Sequence, residues 1–367
     1  MSLSLERKIG QLFFIGISGI EINVEVQQLL EDITPGGICL FARNIRNAAQ
    51  TRNLLDEIRE VLLIEPFISL DQEGGLVDRL RRIITPMPSA ASIQTTEVAE
   101  KLAKITSEVL RMLSFNMNFA PVVDVMGEHR GGNANGLYSR AFGNDKETVG
   151  ELADAYLDTL QNGGCLGCIK HFPGLGASQT DSHEDLPIVN LTREDLFATD
   201  LFPYRKLFKS AQVHAVMVAH ATYPLFDLQE TDVNDKLLPS SLSFNIINNL
   251  LRSELNFQGL VISDDLEMGA ILKNYSIGDA CVMAINAGVD MVSICADVDL
   301  IRKGFTAVVE AVKTGEIKET RIEESLNRIT QVKSLLQPPL PLDMARLQIL
   351  SREIAELNKK VNYSYGG

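Results

Sequence analysis

The chain alternates between short, unbroken apolar runs and longer stretches of helical spacing. The apolar runs are Leu12–Ile17, Gly37–Phe41, Phe67–Leu70, Met117–Val123, Cys165–Lys170, Ala215–Ala219, Leu260–Ser263 and Val289–Cys295. None alternates cleanly between apolar and polar, as expected of parallel strands covered on both faces. Between most of them, Ala48–Leu63, Thr96–Leu113, Lys146–Gln161, Ser243–Leu255 and Ile277–Ala287 mix i, i+3, i+4 and i+7 aliphatic spacings and predict helices. Asp145 and the serines Ser240, Ser241 and Ser243 stand where N-caps are needed. Eight strands with helix-length crossovers predict a (β/α)8 barrel of the TIM type, for which about 250 residues is typical. A doubly wound open sheet is the competing arrangement. It would usually announce a nucleotide with G-x-G-x-x-G after its first strand, and that motif is absent.

Beyond the eighth run, helices are predicted around Ile301–Lys313 and Thr320–Leu336. Pro338-Pro339-Leu340-Pro341 then breaks the pattern. A last helix, about Asp343 to Val361, carries Leu347, Leu350, Ile354, Leu357 and Val361 along one stripe. The expected division is a catalytic barrel over 1–336 and, over 337–367, a proline-rich break and a helix packed on the barrel. Contact with a partner subunit is the other use of that stripe.

Charge narrows the function. Lys plus Arg is 34 and Asp plus Glu is 48, a formal net charge of −14. No basic face for displacing phosphate counterions is suggested, so nucleic acid is not an expected partner. A neutral substrate, or an anion held by local arginines, fits better. The five cysteines, Cys39, Cys165, Cys168, Cys281 and Cys295, are too few and odd in number for a disulfide framework. Cys165-Leu166-Gly167-Cys168 has redox or zinc spacing, but no second ligand pair accompanies it, and buried thiols are expected. No run approaches the ~20 apolar residues of a membrane span, and no signal-peptide pattern is visible, so a cytoplasmic location is expected.

In a barrel, function gathers where the strands end. After the third run come Asp71-Gln72-Glu73-Gly74-Gly75 and Arg79, and after the fourth Asp124, Gly131–Gly136 and Arg140. The fifth is followed by Lys170-His171-Phe172-Pro173-Gly174 and Asp181-Ser182-His183, the sixth by His220, and the seventh by Ser263-Asp264-Asp265. Any one of these could cap a loop. Together they place carboxylates, imidazoles and cations on one rim, where desolvation is costly without a function. Asp264 directly follows Leu260-Val261-Ile262-Ser263, a rigid strand end suited to a nucleophile or base. Asp181 is spaced to orient His183. Two chemistries compete at this point. One is metal-assisted hydrolysis with His171, His183, His220 and Asp264 as ligands; the other is glycoside cleavage by a carboxylate nucleophile and a separate proton donor.

The segments Lys170–Gly174, Asp181–His183 and Leu186-Pro187 resemble the signature of glycoside hydrolase family 3, in particular its bacterial β-N-acetylhexosaminidases of the NagZ type. So do Gly37–Asn44, Asp71–Gly75, Phe119–Asp124 and Ser263–Met268, in order along most of the chain. The resemblance implies a retaining exo-β-N-acetylglucosaminidase acting on peptidoglycan fragments during cell-wall recycling, with no metal and no organic cofactor. It implies Asp264 as nucleophile, His183 as acid/base and Asp181 as its supporting carboxylate. It implies Asp71, Arg79, Arg140, Lys170 and His171 as substrate-binding residues. The expected partner is a GlcNAc-containing oligosaccharide or muropeptide, and the expected state a monomer or weak homodimer. Two segments depart from the family pattern: Gly174-Leu175-Gly176-Ala177-Ser178, commonly Gly-His-Gly-Asp-Thr, and the Gly/Asn-rich Gly127–Gly136. A β-glucosidase or GlcNAc phosphorylase of the same family, and a catalytically idle sugar-binding barrel, are the alternatives.

Overall fold

Eight parallel strands curl into a barrel in the computed structural model, which describes residues 3–127, 136–182, 184–210 and 212–364. The strands are β1 (Phe13–Ile15), β2 (Gly37–Leu40), β3 (Phe67–Leu70), β4 (Met117–Asn118), β5 (Leu166–Phe172), β6 (Ala215–Val218), β7 (Leu260–Asp265) and β8 (Met291–Ile294). They run in the order β3-β2-β1-β8-β7-β6-β5-β4. Every residue of β1 to β6 and of β8 is buried, which is why the runs read as solid apolar blocks.

Closure between the two ends of that order does not use a regular ladder. Asn116 N donates to Ile68 O (3.1 Å) and Phe119 N to Leu70 O (3.0 Å). The remaining bonds come from asparagine side chains. Asn116 Oδ1 accepts from Ile68 N at 2.7 Å, and Asn118 Oδ1 accepts from Gln72 N at 2.9 Å. Asn118 Nδ2 donates back to Gln72 O at 3.0 Å. The fourth run had been expected to be a strand through Val123. Met117 and Asn118 form its regular ladder with β5. Beyond them pairing with β5 continues less regularly: Pro121, which has no N–H to give, still accepts from Lys170 N, a parallel bridge joins Val122 to Lys170, and Val123 N donates to Lys170 O at 2.7 Å.

The helices are α1 (Leu5–Gly10), α2 (Val24–Ile33), α3 (Ala48–Val61), α4 (Thr96–Met112), α5 (Lys146–Asn162), α6 (Arg193–Ala198), α7 (Leu201–Ser210), α8 (Gly269–Leu272), α9 (Ile277–Ala287), α10 (Val298–Thr314), α11 (Glu319–Lys333) and α12 (Met344–Lys360). The predicted Ser243–Leu255 helix is a π-helix over Asn245–Glu254. Asp145 caps α5 by accepting from Thr148 N at 2.8 Å. Ser243 Oγ accepts from Ile246 N at the start of the π-helix. α12 lies on α4: Leu347, Leu350, Ile354 and Leu357 are buried, each worth about 1.5–3 kcal/mol. Arg346 forks onto Glu108 of α4 at 2.6 and 2.8 Å. All five cysteines are free and buried. Among the described residues no helix is long and apolar enough to cross a membrane.

Candidate active site

The C-terminal ends of the strands surround a cavity of about 250 Å³. Asp71, Arg79, Arg140, Lys170, His171, Asp181 and Asp264 all line it. Seven of the eight residues expected at the site are therefore brought together. The eighth, His183, lies outside the described residues, as does most of the atypical stretch, 128–135.

Two strand irregularities explain how so many groups reach one cavity. Along β5 the partners run Cys168↔Ala215, Ile169↔Val216, then Phe172↔Val218, so three steps on β5 match two on β6. Along β7, Ile262↔Met291 is followed by Asp265↔Ser293, again three steps against two. Side chains on a regular strand alternate, so one of two neighbours would turn away. A bulge re-aims a side chain. Here both members of Lys170-His171 and of Asp264-Asp265 line the cavity.

One wall is a charge network. Lys170 Nζ lies 2.5 Å from Asp71 Oδ1 and 2.7 Å from Glu73 Oε1. Arg140 forks onto Glu73 through Nε (2.7 Å) and Nη2 (2.9 Å). Burial by itself would push the Glu73 carboxyl up, but Arg140 and Lys170 hold it far below the carboxylate range. Burial opposes the charge of Lys170, and Asp71 and Glu73 restore it, leaving its pKa above the ordinary value. Arg79 approaches Asp71 at 3.6 Å and rests 5.7 Å from the Phe41 ring centroid. Its Nε is buried with no acceptor among the described residues, while the side chain as a whole lines the cavity. Arg140 had been expected to fork onto the substrate. Two of its nitrogens are instead engaged by Glu73.

The opposite wall holds the carboxylates of β7. Asp264 Oδ1 accepts from Asp265 N at 2.8 Å. Burial would raise its pKa, yet His171, His220, that N–H and Lys170 bring it below the usual value, so Asp264 is ionised at neutral pH. Burial, with the charges of Glu267 and Asp264 added, pushes its neighbour Asp265 up to about 7. Asp181 Oδ2 comes so near Gly136 that a Cβ there would stand 3.3 Å from it.

Two buried residues act behind the lining. Asp124 accepts from Leu175 N at 2.7 Å and pairs at 2.7 Å with His171 Nδ1, joining the imidazole to the start of the loop that leads to Asp181. His220 Nδ1 meets Ser241 Oγ at 2.7 Å and its Nε2 donates to the Asp265 carbonyl at 3.0 Å. Both its ring nitrogens are occupied by protein groups, which removes it from the ligand set that metal-assisted hydrolysis would need. Among the described residues no three His, Cys, Asp or Glu side chains stand as a metal cluster. Glu73 and Asp124 sat in the strand-end loops but were not singled out, because their partners lie 67 and 47 residues away.

A parallel barrel with a charged cavity at the C-terminal ends of its strands has the arrangement in which barrel enzymes carry their active sites. The glycosyl hydrolase family 3 N-terminal domain matches residues 4–332, and the chain belongs to that family. A β-hexosaminidase of Psychromonas ingrahamii is 31% identical over 334 residues, covering 89% of this chain and 93% of the relative. β-Hexosaminidase A of Pseudoalteromonas piscicida is 30% identical over 338 residues, and there the chain spans only 55% of the relative's length. Among solved structures, a family 3 β-N-acetylglucosaminidase from Paenibacillus superposes with a TM-score of 0.87 at 33% identity, over 97% of this chain and 69% of that one.

Proposed function

We propose that this chain is a retaining exo-β-N-acetylglucosaminidase that releases terminal GlcNAc from peptidoglycan fragments in the cytoplasm, working as a monomer or weak homodimer. The observation that carries the reading is Asp264: a carboxylate kept ionised at the bulged end of β7, facing the cavity. The names of the relatives and of the Paenibacillus structure support the sugar class.

In this reading Asp264 attacks the anomeric carbon while His183 protonates the leaving oxygen, and a glycosyl-aspartate forms. Water then gives a proton to His183 and attacks the same carbon, releasing the sugar and restoring Asp264. Asp181 orients and charges the imidazole. An unperturbed histidine pKa of about 6.5 suits both halves of the cycle. Arg79, Asp71 and Lys170 hold sugar hydroxyls, and His171 lies beside them with Asp124 fixing its ring. Arg140 shapes the same wall through Glu73.

The test compares 4-nitrophenyl-GlcNAc with 4-nitrophenyl-glucose, with and without phosphate, alongside trapping by a 2-fluoro sugar. The expected result is hydrolysis of the GlcNAc substrate, a label on the peptide containing Asp264, and no turnover by Asp264→Asn. Normal turnover by that variant overturns the assignment. A sugar 1-phosphate product would redefine the enzyme as a phosphorylase. His183→Ala is expected to slow substrates with poor leaving groups far more than activated aryl ones.

A further inference from the structure

Two thiols in the cavity have no part in glycoside cleavage. Cys39 follows Ile38 on β2, and Cys295 follows Ile294 at the end of β8. Ile38 and Ile294 both pair with Ile15 of β1, so the two cysteines stand at one level on either side of β1. The β1 residue at that level is Gly16, which puts no side chain between them. The backbones are pressed together there: a Cβ on Gly16 would fall 1.8 Å from the Cys295 carbonyl oxygen. The Cys39 thiol is near enough to push the pKa of the Cys295 thiol up, and both residues line the cavity that Asp264 also lines.

From this juxtaposition we infer that Cys39 and Cys295 form a two-thiolate binding site for a soft d10 cation of the Hg²⁺, Cu⁺ or Ag⁺ kind, inside the cavity. The ligand count sets the choice. Zinc asks for four ligands, and among the described residues no cluster of three or more metal-binding side chains exists. Two sulfurs suffice for a d10 ion that accepts linear coordination, and thiolates favour soft metals. Binding is a proton exchange without redox change: two thiols and Hg²⁺ give a neutral dithiolate complex and two protons. A monovalent ion would leave one net negative charge in a cavity that the ionised Asp264 also lines, so Hg²⁺ is held most tightly. The neighbouring Cys39 thiol and burial keep the Cys295 thiol protonated, so affinity rises with pH. An occupied site intrudes on the substrate's space.

The test uses mercuric chloride on the full chain. Binding is read by equilibrium dialysis with metal analysis and by thiolate-to-metal absorption, so the result does not depend on the glycosidase reading. Wild type should retain one Hg²⁺ that Cys39→Ser/Cys295→Ser does not, and each single variant should bind at least 100-fold more weakly. Cys281→Ser, in α9 and outside the cavity, should bind like wild type. Zn²⁺ should pass through at the same concentration, and two protons should be released per Hg²⁺. Should the serine variants not fold, alkylation of the Hg²⁺-loaded wild type after unfolding replaces them, and it should spare Cys39 and Cys295. Retention of the tight Hg²⁺ by the double variant, equal retention of Zn²⁺, or alkylation of both cysteines in loaded protein overturns the site.

Discussion

Arg140 grips Glu73 through two parallel hydrogen bonds across 67 residues of sequence, and that grip ties the loop after β4 to the loop after β3. Lys170 closes the same arrangement from β5, at 2.7 Å from Glu73. Three strand ends thus share one carboxylate that solvent hardly reaches.

Removing that carboxylate leaves two buried cations poorly compensated. Glu73→Ala should lower stability by about 3 kcal/mol, at the lower end for breaking a buried pair because Asp71 still faces Lys170. It should also lower kcat/KM at least tenfold. Chemical denaturation and steady-state kinetics check both. The sign with pH follows from a folded pKa held below the unfolded one. The stability from Glu73 is present above the unfolded value of about 4.3 and is lost as pH falls toward the folded one. Glu73→Gln should therefore flatten the acid limb of the stability curve.

Asp124 should behave as a positioning residue. In Asp124→Asn the group facing His171 Nδ1 is no longer a charged acceptor, and the hold on Leu175 N weakens. Losing a charge-assisted bond of this kind costs about 1.5–3 kcal/mol, or roughly 10- to 100-fold in kcat/KM. The pH–rate profile should change with it. An unchanged profile and rate would show that Asp124 serves packing alone.

Asp265 gives the opposite acid–base signature to Glu73. Its folded pKa of about 7 lies above the unfolded value of about 3.9. Its stabilisation is complete below the unfolded value, declines as pH rises between the two, and is gone above the folded one. Asp265→Asn cannot titrate. Its melting temperature should gain on that of wild type from pH 4 to pH 7, and parallel melting curves across that range would contradict the shift.

The loop after β5 tolerates no added bulk at Gly176. A Cβ there would meet the Val125 carbonyl oxygen at 2.0 Å, so the backbone must move. Gly176→Ala should cost about 1–3 kcal/mol and carry Asp181 out of place, lowering activity more than stability. Urea midpoints and kcat/KM measured together separate the two effects.

The barrel was legible because strands buried on both faces become uninterrupted apolar runs, and Phe67–Leu70 and Ile277–Ala287 begin and end as their spacing predicts. α2 and α7 were not read, although Val26, Leu29, Leu30 and Ile33 mark an apolar face on the first. Asp71, Lys170 and Asp264 could be found because each stands at or just past the end of an apolar run. Glu73 and Asp124 could not be weighed in the same way. Their importance rests on Arg140 and His171, which only the closed barrel brings near. The bulges that turn His171 and Asp265 inward leave no mark in composition, since they depend on register against β6 and β8.

At the join of β3 and β4, the side-chain amides of Asn116 and Asn118 do much of the work that elsewhere falls to paired main chains. The staves bearing Asp71 and Glu73 hang beside this fastening. On warming, the cylinder should part there first, so the amide protons of Ile68 and Gln72 should exchange with deuterium before those of β6 and β7. Loss of the sugar pocket would then precede loss of the fold.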